Sequence, residues 1–311
     1  MELDGNGITG SIPLELFSMA QLAYIDISYN SITGSIPTEM GQSNDLMGLI
    51  LSGNMITGTL PSEVANMNAL CYLQVSDNQL TGTLPTDLGR MAILKDLKIG
   101  TNLFSGTIPT ELGNLSDGDS IVFSFNKLVG TIPSQFKNLL NLQSLDLTNN
   151  GLTGSFPIEL SFLTDLSGTL SLSMNNLTGT IPSELGHFRH VSNVQLNDNG
   201  FTGTIPSEVG FMTNVDGLVD LSRNKLSGTL PTELGNLINM YGLYLFGNTA
   251  LSGTIPSELG QLTHLVEFLA YGSQLNGSVP LELCKNYNAS NLTKLEVDCT
   301  ILCSCCNDFC Y

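Results

Sequence analysis

The stretch Asn199-Gly-Phe-Thr-Gly-Thr-Ile-Pro-Ser-Glu-Val-Gly210 is the clearest copy of a line written twelve times in this chain. Every proline of the protein stands in it: Pro13, Pro37, Pro61, Pro85, Pro109, Pro133, Pro157, Pro182, Pro206, Pro231, Pro256 and Pro280. The spacing is 24 or 25 residues throughout. A fixed period of this size marks stacked repeats, each a unit that buries its apolar face only against its neighbours. The 311 residues are therefore read as one array whose core grows lengthwise, not as two ordinary domains.

Counting from the recurring Asn as zero, apolar residues fall at −8, −5 and −3, as in Leu142, Leu145, Leu147 and Asn150. The alternation across −5 and −3 has period two and predicts a short strand with one buried face. The Asn recurs at 6, 30, 54, 78, 102, 126, 150, 175, 199, 224 and 248, and Ser273 replaces it in the last copy. Its amide carries both donors and an acceptor, so it suits backbone groups left open where the chain turns off the strand. A Gly fills the fourth position after it in eleven copies, from Gly10 to Gly277, and the fifth, Gly253, after Asn248, where close backbone approach or positive φ is expected. Pro is expected at the first position of a short helical turn. An acid follows two residues later in eleven copies, with Gln135 the exception, placed against the free N–H groups of the turn. Met19, Met67, Met91 and Met212 fall in the buried column of that turn.

The consensus Leu-x-x-Leu-x-Leu-x-x-Asn-x-Leu-Thr-Gly-x-Ile-Pro-x-Glu-Leu-Gly resembles the plant-type leucine-rich repeat of receptor-like kinase ectodomains, receptor-like proteins and polygalacturonase inhibitors. The resemblance implies an α/β solenoid, a right-handed horseshoe with a parallel β-sheet on the concave face. It also implies a second short sheet from the Thr-Gly-x-Ile-Pro segments, short helical turns on the convex face, and a cysteine-containing cap. The expected division is a solenoid over residues 1–283 and a cysteine-rich cap over 284–311. Some copies are irregular: Gly118 stands where Leu is expected, and one-residue insertions fall near Gly168, Gly217 and Thr249-Ala250.

Composition narrows the partners. With 28 Asp and Glu against 10 Lys and Arg, the net charge is −18, which argues against nucleic acid and anionic membrane surfaces. No run of apolar residues is long enough to span a membrane. Six of seven cysteines, Cys284, Cys299, Cys303, Cys305, Cys306 and Cys310, crowd the C-terminus and read as a disulfide cap, hence an extracellular or cell-surface location. Their pairing stays open, and zinc is disfavoured because Cys303-Ser-Cys305-Cys306 has no His nearby. Cys71 is read as a half-buried free thiol. Sequons at Asn114, Asn176, Asn276, Asn288 and Asn291 are glycosylation candidates. Met1 enters in mid-repeat, so a signal peptide and an N-terminal cap are expected upstream.

No catalytic constellation emerges, and no cofactor or metal is expected. His187 and His190 fall in connectors; His190 and His264 stand three repeats apart, about 14 Å at strand spacing, too far for one ion. The stacked acids of the turns need no calcium, since turn stabilisation accounts for them. Binding is the expected activity, through strand positions −6, −4 and −2, which point away from the core. These are small or polar in most copies, as in Ser144, Asp146 and Thr148, but one late repeat offers Tyr244 and Phe246 and the next Leu269 and Tyr271, with Glu267 beside them. Exposed aromatic clusters mark interaction sites, so a ligand is expected there, with Asp220 and Arg223 at the edge. The resulting expectation is a recognition module for a protein, peptide or glycan, with a co-receptor as a further partner. Two alternatives accompany it. The Ser and Thr columns flanking the repeated Gly resemble ice-binding faces, and an inhibitor of a secreted hydrolase would need more basic residues than Lys98 and Arg223 supply.

Overall fold

The computed structural model describes residues 1–19, 21–288 and 292–305. They form two compact units, Met1–Leu152 and Thr153–Tyr311. In the first, three-residue strands Tyr24–Asp26, Gly48–Ile50, Tyr72–Gln74, Asp96–Lys98, Ser120–Val122 and Ser144–Asp146 pair in parallel, each with the next. Their central residues Ile25, Leu49, Leu73, Leu97, Ile121 and Leu145 stand in register and are buried. The second unit repeats the plan with Thr169–Ser171, Asn193–Gln195, Leu218–Asp220, Gly242–Tyr244, Glu267–Leu269 and Lys294–Glu296. Its register row is Leu170, Val194, Val219, Leu243, Phe268 and Leu295. One buried residue flanked by two outward ones is the period-two pattern of a half-buried strand.

The segments after the Asn form the expected second set of strands. In the second unit Asn176–Thr180, Gly200–Gly203, Lys225–Gly228, Ala250–Thr254 and Gln274–Asn276 pair successively in parallel. In the first, Thr9–Ser11 pairs with Ser31–Thr33 and Ser105–Thr107 with Lys127–Gly130, and single bridges join the copies between. The repeated Gly has φ between +75° and +94° in all twelve copies, a region open to glycine at little cost.

The helical turns differ from expectation in two details. Eleven of them, among the described residues, are five-residue 3₁₀ turns. The Pro precedes each turn in extended backbone, as at Pro231 with φ −65° and ψ 138°, instead of occupying its first position. Its carbonyl accepts the first closing bond, from the Leu234 N–H at 3.3 Å. The acid in the turn accepts from the hydroxyl just before it, as Glu233 does from Thr232 at 3.2 Å. Met67, Met91 and Met212 are buried as predicted, but Met19 is 55% exposed, because its side chain lies on a flank that no described repeat covers.

The Asn column does more than close its own turn. Asn54 Nδ2 donates to the carbonyls of Leu51 and Ser52 in its own repeat and Ile27 in the preceding one, while Oδ1 accepts the Ile32 N–H. The same four bonds recur at Asn102, Asn150 and Asn224. One amide thus stitches two repeats. At Ser273 the pattern is rebuilt: Asp298 accepts from the Gly272 and Ser273 N–H groups, and Leu251 N–H turns to the Asn248 carbonyl.

The second unit ends in an α-helix, Leu281–Asn288, followed by the strand Lys294–Glu296. Cys284 and Cys305 form a disulfide, and Cys299 and Cys303 are also disulfide-bonded. Cys306 and Cys310 lie outside the described residues. Cys284, Cys303 and Cys305 come close enough to share an ion, but their sulfurs are committed to disulfides and offer no thiolate. Cys71 is a half-buried free thiol.

Candidate functional site

The outward face of the strands is set by register. In the second unit, Gln195, Asp220, Tyr244, Leu269 and Glu296 form one row across neighbouring strands. Leu218, Gly242, Glu267 and Lys294 form a parallel row two residues earlier. Just beyond the strand ends, Phe246 and Tyr271 meet face to face, with ring centroids 4.9 Å apart and an interplanar angle of 13°. Tyr244 tilts against Phe246 at 6.5 Å. The three aromatic residues are half-buried.

Polar groups surround them. The Tyr244 hydroxyl donates to Glu267 Oε2. Burial, and then that bond to a carboxylate, push the Tyr244 phenol above its ordinary range. Asp220 Oδ1 accepts from the backbone N–H and the hydroxyl of Ser222. Burial still raises the Asp220 carboxyl above its ordinary value, because those two bonds offset only part of the lost hydration. Arg223 places its guanidinium 5.6 Å from the Phe246 centroid and reaches Asp198 at 3.5 Å.

The sequence-predicted patch is therefore assembled around Tyr244, Phe246, Tyr271, Glu267, Asp220 and Arg223, with one correction. Leu269 is not an exposed anchor: it is 5% exposed. It stands between Tyr244 and Glu296 in its row, and both side chains are longer than its own. It forms an apolar floor instead.

The six described stretches matched by the family model "Leucine Rich Repeat" are residues 21–43, 45–67, 69–91, 141–163, 169–188 and 218–237. Among solved structures, a TDR receptor aligns at 30% identity and TM-score 0.89, over 96% of this chain and 50% of that one. The Arabidopsis receptor kinase HAESA, in complex with the peptide hormone IDA and the co-receptor SERK1, aligns at 32% identity and TM-score 0.89, over 97% and 50%. The chain is a leucine-rich-repeat solenoid. It spans about half the length of these receptor structures. A plant ice-binding protein shares the fold alone, at 21% identity and TM-score 0.68, over 92% of this chain and 83% of that one. No curated protein sequence matches this leucine-rich-repeat chain.

Two features of the leucine-rich-repeat face escaped sequence reasoning. In the first unit, Tyr24 and Tyr72 approach to 6.3 Å between centroids across Gly48, whose missing Cβ leaves room for the Tyr24 ring. A Gly at −6 flanked by Tyr at −6 in both neighbours was the available signal. Nearby, Asp96 accepts from Gln74 Nε2 at 2.6 Å and pairs with Lys98 at 2.8 Å. Secondly, the residue before the Asn has positive φ in all twelve repeats, between +50° and +72°. This includes Tyr29, Thr101, Phe125, Met174 and Arg223, whose types give no hint of it.

The remaining candidates fall away from the aromatic patch. His187 and His190 are exposed, and His264 Nδ1 lies 3.0 Å from the Ile238 carbonyl. In the hydroxyl columns, Thr33, Thr57, Thr81 and Thr202 donate to Gly carbonyls of the preceding repeats at 3.0–3.2 Å, specifically Gly10, Gly34, Gly58 and Gly179. That bond gives the first hydroxyl column a structural role. Asn114, Asn176 and Asn276 are exposed, as a glycosylation site requires. Asn288 closes the α-helix, and Asn291 lies outside the described residues.

Proposed function

We propose that this chain is an extracellular or cell-surface recognition module, closed by its cysteine-rich segment 284–311, that binds a peptide, protein or glycan on the strand face of its second unit. The stacked, half-exposed pair of Phe246 and Tyr271 carries the reading. Elsewhere on that face the corresponding positions hold small polar residues, Ser173, Asn197 and Ser222. Two aromatic rings held in a fixed stack offer contact area at little entropic cost, the usual character of an anchor. The receptor kinase HAESA, solved in complex with a peptide hormone and a co-receptor, supports a peptide first and a co-receptor as a further partner. The cysteine disulfides and the exposed sequons agree with an oxidising, secreted setting.

The test is to pan a displayed peptide library and a glycan array against the whole chain, then repeat with Phe246→Ala/Tyr271→Ala and with Tyr24→Ala/Tyr72→Ala. Ligands lost with the first pair and kept with the second support the reading. Ligands indifferent to the first pair place the site elsewhere.

A further inference from the structure

We propose that the ligand of this face is a cationic peptide segment, with apolar side chains against Phe246 and Tyr271 and an ammonium or guanidinium group over Leu269, among Asp220, Glu267 and Glu296. The proposal rests on the reading of the same face as the binding site. Register builds the cation position directly. Asp220, Tyr244, Leu269 and Glu296 occupy consecutive places in one row, and Glu267 stands two residues before Leu269 on the same strand. The buried Leu269 is the floor and the carboxylates are the rim.

Charge decides what such a rim accepts. The two basic residues on this part of the face are already engaged: Arg223 with Asp198 at 3.5 Å, Lys294 with Glu296 at 3.7 Å. Asp220 and Glu267 have only neutral hydrogen-bond partners, Ser222 and Tyr244. Four carboxylates, Asp198, Asp220, Glu267 and Glu296, therefore outnumber Arg223 and Lys294 on this part of the face, and an anionic ligand would meet net like charge there. A cation would gain charge-assisted hydrogen bonds and, beside Tyr244, an aromatic face. Burial raises the Asp220 carboxyl above its ordinary value, the direction that an arriving cation reverses. The net charge of −18 acts the same way at long range by steering cations toward the chain.

The experiment is panning of a displayed random-peptide library against the whole chain, with the enriched sequences remade as synthetic peptides. Enriched peptides should carry Lys or Arg near an aromatic or aliphatic residue. Their affinity should fall about tenfold with Glu267→Gln, which keeps an acceptor for Tyr244, and comparably with Asp220→Asn. It should also weaken with added salt. Glu267→Lys should redirect enrichment toward acidic peptides. Unchanged denaturant midpoints verify that these variants are folded. Neutral or acidic peptides that are lost with Phe246→Ala/Tyr271→Ala would overturn the cation assignment and leave the face standing. Peptides indifferent to that double variant would overturn both, and no enriched peptide would overturn the cationic-peptide assignment while the glycan array still tests the face.

Discussion

Replacing Asn224 with Ala should be among the most damaging single changes in the second unit. Asn224 is buried; its Oδ1 accepts the Phe201 N–H at 3.0 Å, and its Nδ2 donates to Leu196, Ser222 and Leu221 carbonyls at 3.0, 3.1 and 3.2 Å. The losses are unequal. The Leu196 carbonyl keeps Asn199 Nδ2, the Leu221 carbonyl keeps Asn248 Nδ2, and the Ser222 carbonyl keeps the Asp198 N–H. The Phe201 N–H, in contrast, loses the acceptor it has. An orphaned buried donor costs about 1–3 kcal/mol, and each weakened carbonyl bond about 0.5 kcal/mol or more, so the total is about 3–5 kcal/mol. Asn224→Asp keeps the shape but turns a donor into an acceptor facing three carbonyls, so it should be at least as harmful at neutral pH. The assay is urea unfolding combined with amide hydrogen exchange at Phe201, because a repeat array can open locally without unfolding as a whole. A loss below about 1 kcal/mol with unchanged Phe201 protection would refute the reasoning.

Three further outcomes follow from the same geometry. Gly203→Ala should cost about 1–2 kcal/mol or more in urea unfolding, since φ is +77° and the new Cβ would stand 2.9 Å from Thr180 Cγ2. Thr101→Gly should stabilise by about 1 kcal/mol, because a β-branched residue is held at φ +51° on an exposed position; an unchanged or lower midpoint would contradict this. Tyr244 should ionise above the ordinary tyrosine range in an ultraviolet titration, and Glu267→Gln should bring it down. Its folded value lies above its unfolded one, so the folded state binds more protons than the unfolded state in between. Stability should accordingly fall as pH rises past about 10, and less steeply in Glu267→Gln.

The parts of the fold that were legible in the sequence are those where one residue type solves one backbone problem. Only an amide of Asn size supplies three donations and one acceptance at the end of each strand, and the Gly of the next segment adopts φ near +80° at almost every copy. Those needs recur at every repeat, so the letters recur. The left-handed residue before the Asn was invisible for the opposite reason. Its N–H must reach the neighbouring repeat, as Thr101 does to Ser124 and Phe125 to Thr148, and the ladder imposes the conformation on whatever side chain is present. The burial of Leu269 was illegible because it depends on the lengths of Tyr244 and Glu296 on adjacent strands, not on its own position.

That division also explains how a face can diverge while the array stays intact. The Asn amides and central strand residues hold the repeats without using the outward positions, so Ser171, Gln195, Asp220, Tyr244, Leu269 and Glu296 can differ along one row at little cost to the ladder. The same amides fix the strand ends from which Phe246 and Tyr271 project. Loosening the Asn248 amide, which donates to the Leu245 carbonyl next to Tyr244 and to the Leu221 carbonyl of the preceding repeat, should therefore weaken ligand binding as well as stability. Phe246→Ala separates the two effects. It removes an outward ring and leaves every amide of the ladder in place, so it should abolish binding with little change in the unfolding midpoint. If binding and stability instead fell together in Phe246→Ala, the outward row would be part of the framework, and its aromatic residues would owe their presence to packing.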